Sequence, residues 1–422
     1  MVSALKKIGW SLMLLVVFSM VVSTAVCAEK LVIWDKSEYV KVYNDRMKEF
    51  AENFTKQTGV EVEYVVIPPN DLKPKIYAAI EAKNPPDLIV TDDFVAKQFA
   101  GMDQLVDVSD IYEQVNFTEA AMNLAYVKNG NFVIPQAFLA PGMYVRKDKW
   151  DAHNLKYPDT WAEVKETARI VNDPKNGFHA LGFPMGASGG GDAEGMMRCV
   201  VLGFGGVPVD REDNITVNSP ETLEALKFVA SLYQEGLTPP SAITWDDMGN
   251  NTAYLSETVG LIMNSGSVYS TMKNEGRDEL LKNTVILPFP AGPAGRFISG
   301  GGNVFVIFKN GKNTQAAKQF VIEFFKKDFY EDLIIQIGGM WQPTVEGMSD
   351  NDFWKQGDNK GWLASSLSIV PNTHPAQPDD KSTRAFSEQL LVKAVQKIVL
   401  QNMDPQQALD ECEADFKRIY EQ

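Results

Sequence analysis

The chain is expected to be an α/β protein of two domains, with a doubly wound, parallel sheet at its N-terminal end. Three observations carry this. Residues 31–90 alternate strand and helix signals in the order β-α-β-α-β. Setting aside an N-terminal leader leaves about 394 residues, more than one core holds comfortably. No linker-like tract divides them, so the chain is expected to cross between its domains several times.

The leader is MVSALKKIGWSLMLLVVFSMVVSTAVCA, residues 1–28. Lys6 and Lys7 precede an apolar stretch that ends in small residues at Ala28, the order of a secretory signal peptide. The rival reading is a retained N-terminal anchor, since the apolar stretch is long for a signal. Lipid attachment at Cys27 is disfavoured, because Thr24 and Val26 stand where Leu and a small residue are usual.

Leu31-Val32-Ile33-Trp34 is an apolar run suited to a buried strand. Tyr43, Met47, Phe50 and Phe54 then share one helix face, and Gly59 stops that helix. Val60, Val62, Tyr64 and Val66 alternate as a second strand that ends before Pro68 and Pro69. A helix from Leu72 to Ala82 leads to the apolar Leu88-Ile89-Val90, the third strand. Further on, Thr160 and Glu163 form a T-x-x-E capping box at a helix start. Near the end, Leu390, Leu391, Ala394, Val395 and Ile398 line one helix face. A last helix opens at Asp404-Pro405 and turns Leu409, Cys412, Phe416 and Ile419 inward.

In parallel sheets ligands lie beyond the carboxyl ends of the strands. That rule selects Asp35, Lys36 and Glu38 after the first strand, and Thr91, Asp92 and Asp93 after the third. Trp245 and Trp341 stand in polar, loop-like settings, SAITWDDMGNN and GGMWQPT. Sugar rings pack their C–H faces on an indole while carboxylates and amides take the hydroxyls, and these loops have that composition. The same pattern also fits a Trp at the edge of a core. Asn264-Ser265-Gly266-Ser267 follows an apolar strand, which would aim backbone N–H groups at a ligand or simply cap a helix.

The composition excludes several chemistries. Formal charge is −15, and removal of the leader takes two lysines and no acid, so nucleic acid is a poor partner. His153, His179 and His374 are widely spaced and no C-x-x-C occurs, which leaves no zinc pattern. Cys199 and Cys412 either pair or remain two buried thiols. Adjacent acids such as Asp92 and Asp93, or Asp246 and Asp247, point to opposite faces of a strand, so neither pair is a glycosidase dyad. No G-x-S-x-G or phosphate-loop motif occurs. The glycine patches GASGGGD (186–192) and SGGGN (299–303) suit close approach of backbone to a ligand.

Together, LVIW with EFAENFTKQTGVEVEYV, NPPDLIVTDD, VIPQAFLAPGMYVRKDKW, PDTWAEVKETA, WDDMGNNTAYLSETVGLIMNSGSVYS, GGGNVFVIFKNGKNTQAAKQFVIEFF and ALDECEADFKRIY give the chain its likeness. It resembles the extracellular solute-binding proteins of ABC importers, in the maltose-binding-like sugar class, over essentially the whole chain after the leader. The resemblance implies a two-lobed periplasmic-binding-protein fold of type II, each lobe a doubly wound sheet with flanking helices. Three crossings would lie near 138–141, 299–302 and 340–344. The N-terminal lobe would be 29–138 with 302–340, and the C-terminal lobe 139–301 with 341–422.

Carried over, the family's cleft positions fall on Asp35, Lys36, Glu38, Asp92, Asp93, Gly191, Asp192, Trp245, Asp246, Asn264, Ser265, Gly266, Ser267, Gly302, Trp341, Gln342 and Arg384. The implied function is a monomeric periplasmic receptor, without cofactor, metal or catalytic step. It would bind a mono- or short oligosaccharide and deliver it to an inner-membrane permease. Two departures bear on the ligand. Thr91 and Asp92 replace an aromatic after the third strand, which removes a maltose-like platform. Arg146 replaces a commoner Asn, and with Arg384 it would favour an acidic sugar. The alternatives are a non-sugar polar solute, such as an amine or a polyol phosphate, and a secreted glycoside hydrolase.

Overall fold

The computed structural model describes residues 30–421 except 39, 128–129, 188–190, 357–358, 367–368 and 377–378. The expected leader, with Cys27, and part of the GGGD loop lie outside the described residues. In chain order the strands are β1 (Leu31–Lys36), β2 (Val62–Ile67), β3 (Leu88–Asp92), β4 (Ile134–Phe138), β5 (Gly142–Arg146), β6 (His179–Leu181), β7 (Val259–Asn264), β8 (Thr284–Leu287), β9 (Ile298–Gly300), β10 (Gly302–Ile307) and β11 (Ile369–Pro371).

Two sheets make two lobes. The first has the order β2-β1-β3-β10-β4, with β1, β2 and β3 parallel and β10 antiparallel to both its neighbours. The second has the order β6-β7-β5-β8. β10 returns to the first sheet only after the second is complete, and the helices carrying Leu391, Leu409 and Phe416 then return to the second, so neither lobe is a continuous segment. That interleaving explains why the sequence shows no linker.

Strand alternation divides each sheet's apolar residues between two faces. In the first sheet, Leu88, Val90, Phe305 and Ile307 pack with Tyr43, Met47 and Phe54 of the helix Lys41–Thr58. Ile89, Val304 and Val306 face the other way, onto Phe99 and Ile76. Gly59 ends the first helix at φ 78°, a left-handed conformation that suits glycine. In the second sheet, Met143, Val145, Leu261 and Met263 join the larger core with Trp161, Leu391, Leu409 and Phe416. Tyr144, Ile262 and Ile286 cover the opposite face with Tyr254 and Trp362. The capping box at Thr160 is present, and Asp404 caps the last helix with Pro405 in its first turn. Cys199 and Cys412 are separate buried thiols.

The lobes meet where three backbones run side by side. Phe138 and Gln342 exchange two N–H···O bonds of 3.0 Å, and the N–H of Leu139 donates to the Gly301 carbonyl at 3.1 Å. The Gln342 side chain ties the bundle further, accepting from Ala140 N at 2.8 Å and donating to the Gly339 carbonyl at 3.1 Å. Trp341, Val345, Met348 and Trp354 pack in the first lobe's core, so that lobe's packing runs past the expected limit at residue 340. Among the described residues no helix is long and apolar enough to cross a membrane.

Candidate functional site

The carboxyl ends of β1 and β3 open onto a cavity of about 550 Å³ between the lobes. From the first lobe come Lys36, Glu38, Asp92 and Asp93, from the second Asp192, Asp246, Asp247 and Asn264, and from the crossings Ser299 to Gly302. This is the place the strand-end rule selects.

On the first lobe's side, Lys36 Nζ bridges Asp92 and Glu38, lying 3.4 Å from the latter. Glu38 also accepts from the Asn303 amide at 2.8 Å. Burial works against the Lys36 charge, but the carboxylates of Asp92 and Glu38 hold its ammonium above the usual lysine range. Asp93 is neutralised locally: Lys97 donates to it at 3.0 Å, and Gly302 N at 3.3 Å. A side chain at Gly301 would put its Cβ 2.3 Å from Asp93 Oδ1, which accounts for glycine at that crossing.

On the second lobe's side, Asp247 accepts from the backbone N–H groups of Gly191 and Asp192 at 3.2 and 3.1 Å, at the start of the helix Asp192–Phe204. Burial, with Asp92 adding repulsion across the cleft, pushes the Asp247 carboxyl up to about 6. Asp192 is raised well above the carboxylate range, first by burial and then by Asp247 and Asp92. Asp246 uses one oxygen to accept from Met248 N at 2.9 Å. Asn264 organises a polar ledge: its amide donates to Asn250 at 3.1 Å and to Asn251, while its carbonyl accepts from Ser267 at 3.0 Å and Ser265 at 3.4 Å.

Of the sequence-selected residues, Lys36, Glu38, Asp92, Asp93, Gly191, Asp192, Asp246, Asn264, Ser265, Ser267 and Gly302 line the cavity. The other six are elsewhere. Asp35 is fully buried beneath it, accepting from the hydroxyls of Tyr43 and Tyr64 at 2.8 and 2.7 Å. Trp341 is also fully buried, with its ring 4.4 Å from that of Tyr43; the polar window GGMWQPT concealed a core residue. Trp245 is half-buried, packed beside the second lobe's outer core and over Gly249, where an added Cβ would lie 2.3 Å from the indole.

Gly266 serves close packing: a Cβ there would lie 2.3 Å from Met340 Cα. Gln342 ties the crossing bundle described above. Arg384 pairs with Glu388 at 2.9 Å, and Arg146 is buried against Asp148 and Glu257, so neither basic residue faces the cavity. Neither arginine therefore favours an acidic sugar.

Asp247, Asn251, Met340, Phe94 and Phe289 also line the cavity and were not selected from the sequence. Asp247 follows Asp246 in a turn and not on a strand, so the expected opposite facing of the pair does not hold and both line the cavity; the others depend on pairing between distant segments.

Two α/β lobes around a shared cavity define a protein that holds a small solute between domains. The chain belongs to the bacterial extracellular solute-binding protein family, whose model matches residues 42–328. A protein named as a binding protein in Brucella abortus (strain 2308) is 23% identical over 375 residues, covering 86% of each chain. The protein named as ABC transporter periplasmic-binding protein YcjN in Escherichia coli K12 is 21% identical over 322 residues, covering 74% of this chain and 72% of that one.

Solved structures share the fold. A solute-binding protein from Thermotoga lettingae, bound with alpha-D-tagatose, superposes with TM-score 0.83 at 17% identity, over 92% of this chain and 99% of that one. One from Agrobacterium radiobacter K84, in complex with ribitol, gives 0.79 at 19%, over 92% and 98%.

Proposed function

We propose that this protein is a receptor that takes a polyhydroxylated solute, a small carbohydrate or sugar alcohol, into the interlobe cavity and delivers it to a membrane permease. The carrying observation is a cavity lined by carboxylates, amides and hydroxyls from both lobes, with Phe94 and Phe289 as its only aromatic walls among the described residues. Hydroxyl groups need acceptors and donors on several sides at once, and this lining supplies them. The sugars and polyol held by the similar structures support the reading.

Closure follows from the same geometry. A solute touching Asp92 on one lobe and Asn264 or Asp192 on the other favours the state in which both are within reach. The proposed lobes are 29–138 with 302–340 and 139–301 with 341–422, the stretch 341–354 packing back on the first. The bundle of Phe138, Gly301 and Gln342 serves as hinge. No catalytic step is proposed.

Calorimetric titration with a panel of monosaccharides, disaccharides and sugar alcohols tests the function. Saturable binding that is lost in Asn264→Ala is the expected result. Failure of every member to bind, or turnover of an oligosaccharide, would overturn the reading.

A further inference from the structure

The charges around the cavity are unevenly matched. Among the described residues six carboxylates line it, those of Glu38, Asp92, Asp93, Asp192, Asp246 and Asp247, against Lys36 alone, with Lys97 lying behind Asp93. Lys36 and Lys97 both belong to the first lobe and are both engaged there. Among the described residues the second lobe contributes three aspartates and no lysine or arginine to the lining. The arginines that would have suited an acidic ligand, Arg146 and Arg384, are paired away from it.

Bringing the lobes together therefore sets Asp92 against Asp192 and Asp247 in a partly desolvated space, where like charges interact more strongly than in water. Burial first raises the carboxyls of Asp192 and Asp247; Asp92 adds to the rise in both and Lys36 opposes it. A neutral sugar hydrogen-bonds to these groups but leaves their repulsion in place. A cation placed among them removes it and gains charge-assisted hydrogen bonds.

Resting on the receptor reading, we infer that the solute is a cationic polyol, an amino sugar or amino sugar alcohol, with its ammonium group between Asp92 of the first lobe and Asp192 and Asp247 of the second. The hydroxyls fall to the ledge of Asn251, Asn264 and Ser267. The ligand's charge then acts as the closure signal, since each lobe carries acids that a shared cation holds together.

The test is calorimetry on the purified protein with matched sets. These are D-glucosamine, D-galactosamine and D-mannosamine, each beside its neutral hexose and its N-acetyl form, and 1-amino-1-deoxy-D-sorbitol beside sorbitol. The expected result is an amine that binds at least about tenfold more tightly than both neutral counterparts and weakens as NaCl is raised. Asp192→Asn should shrink that preference severalfold while the unliganded protein keeps its melting temperature or gains; Asp247→Asn should shrink it as well, with some loss of melting temperature because one of its two backbone N–H groups loses its acceptor.

Neutral members that bind as well as the amines would overturn the inference and leave the receptor reading standing. Binding of putrescine as tight as that of the best amino sugar would overturn the polyol part and keep the charge. Silence from every compound would overturn both.

Discussion

The rings of Phe94 and Phe386 lie with centroids 5.2 Å apart at an interplanar angle of 58°, one on the helix that follows β3 and the other on the helix Asp380–Ser387. Beside them Gln98 Nε2 donates to Ser387 Oγ at 2.8 Å. Phe94 follows Asp93 at the cavity wall, and Gly191 packs under both rings, where an added Cβ would lie 3.5 Å from Phe386 and 3.6 Å from Phe94. This pair joins the two lobes beside the cavity. Phe94→Leu should weaken solute binding about 2- to 10-fold, the worth of one aromatic pair. The loss should appear in the dissociation rate by stopped-flow fluorescence; a change confined to the association rate would count against a latch.

The hinge makes a separate prediction. Gln342→Ala leaves the buried Ala140 N–H without its acceptor and removes the donor to Gly339, a cost of about 1–3 kcal/mol. Urea unfolding reads the cost. Small-angle scattering of the unliganded variant should show a wider distribution of sizes, because one tie of the crossing bundle is gone.

The two tryptophans should separate. Trp341→Ala removes a fully buried indole packed on Tyr43 and should destabilise the protein by about 3–5 kcal/mol. Trp245→Ala removes a half-buried ring at the second lobe's edge and should cost distinctly less. Parallel urea titrations decide it, and equal costs would contradict the packing described.

Asp35 sets a pH dependence. Burial, moderated by hydrogen bonds from Tyr64 and Tyr43, raises its carboxyl to about 8. A carboxyl raised in the folded state stabilises the fold while protonated. Its contribution is fully present below about pH 4, the unfolded value, and is lost as pH rises through about 8. Asp35→Asn cannot ionise, so the stability of wild type minus that of the variant should fall steadily across that window. Chemical denaturation at a series of pH values measures the difference; a difference independent of pH would show that Asp35 is ionised throughout.

How much was legible from sequence depended on the range of the interactions. The helix Lys41–Thr58 could be located by its apolar spacing and its terminal glycine, and the capping box at Thr160 by four residues. Lys36 and Asp92 were reachable because strand ends in a parallel sheet follow from local order alone. Phe94 and Phe386 could not be matched, being almost 300 residues apart with nothing local to link them. Trp341 was misplaced for the opposite reason: its neighbours in sequence are polar and glycine-rich, while its neighbours in space are Tyr43 and the first lobe's core. Arg146, set among charged residues, read as a ligand group and is a buried partner of Asp148 and Glu257.

By itself the sequence determined the α/β class, the first strands and helices to within a few residues, the two-lobe expectation and the end of the sheet that opens on the cavity. These rest on periodicity, capping and chain direction, which act within a few residues. The tertiary structure alone decided which charges share the cleft. Electrostatic balance there depends on which side chains two separate lobes bring face to face. Lys36 stays engaged with Asp92 and Glu38, the arginines turn away to partners of their own, and Asp192 and Asp247 come to confront Asp92.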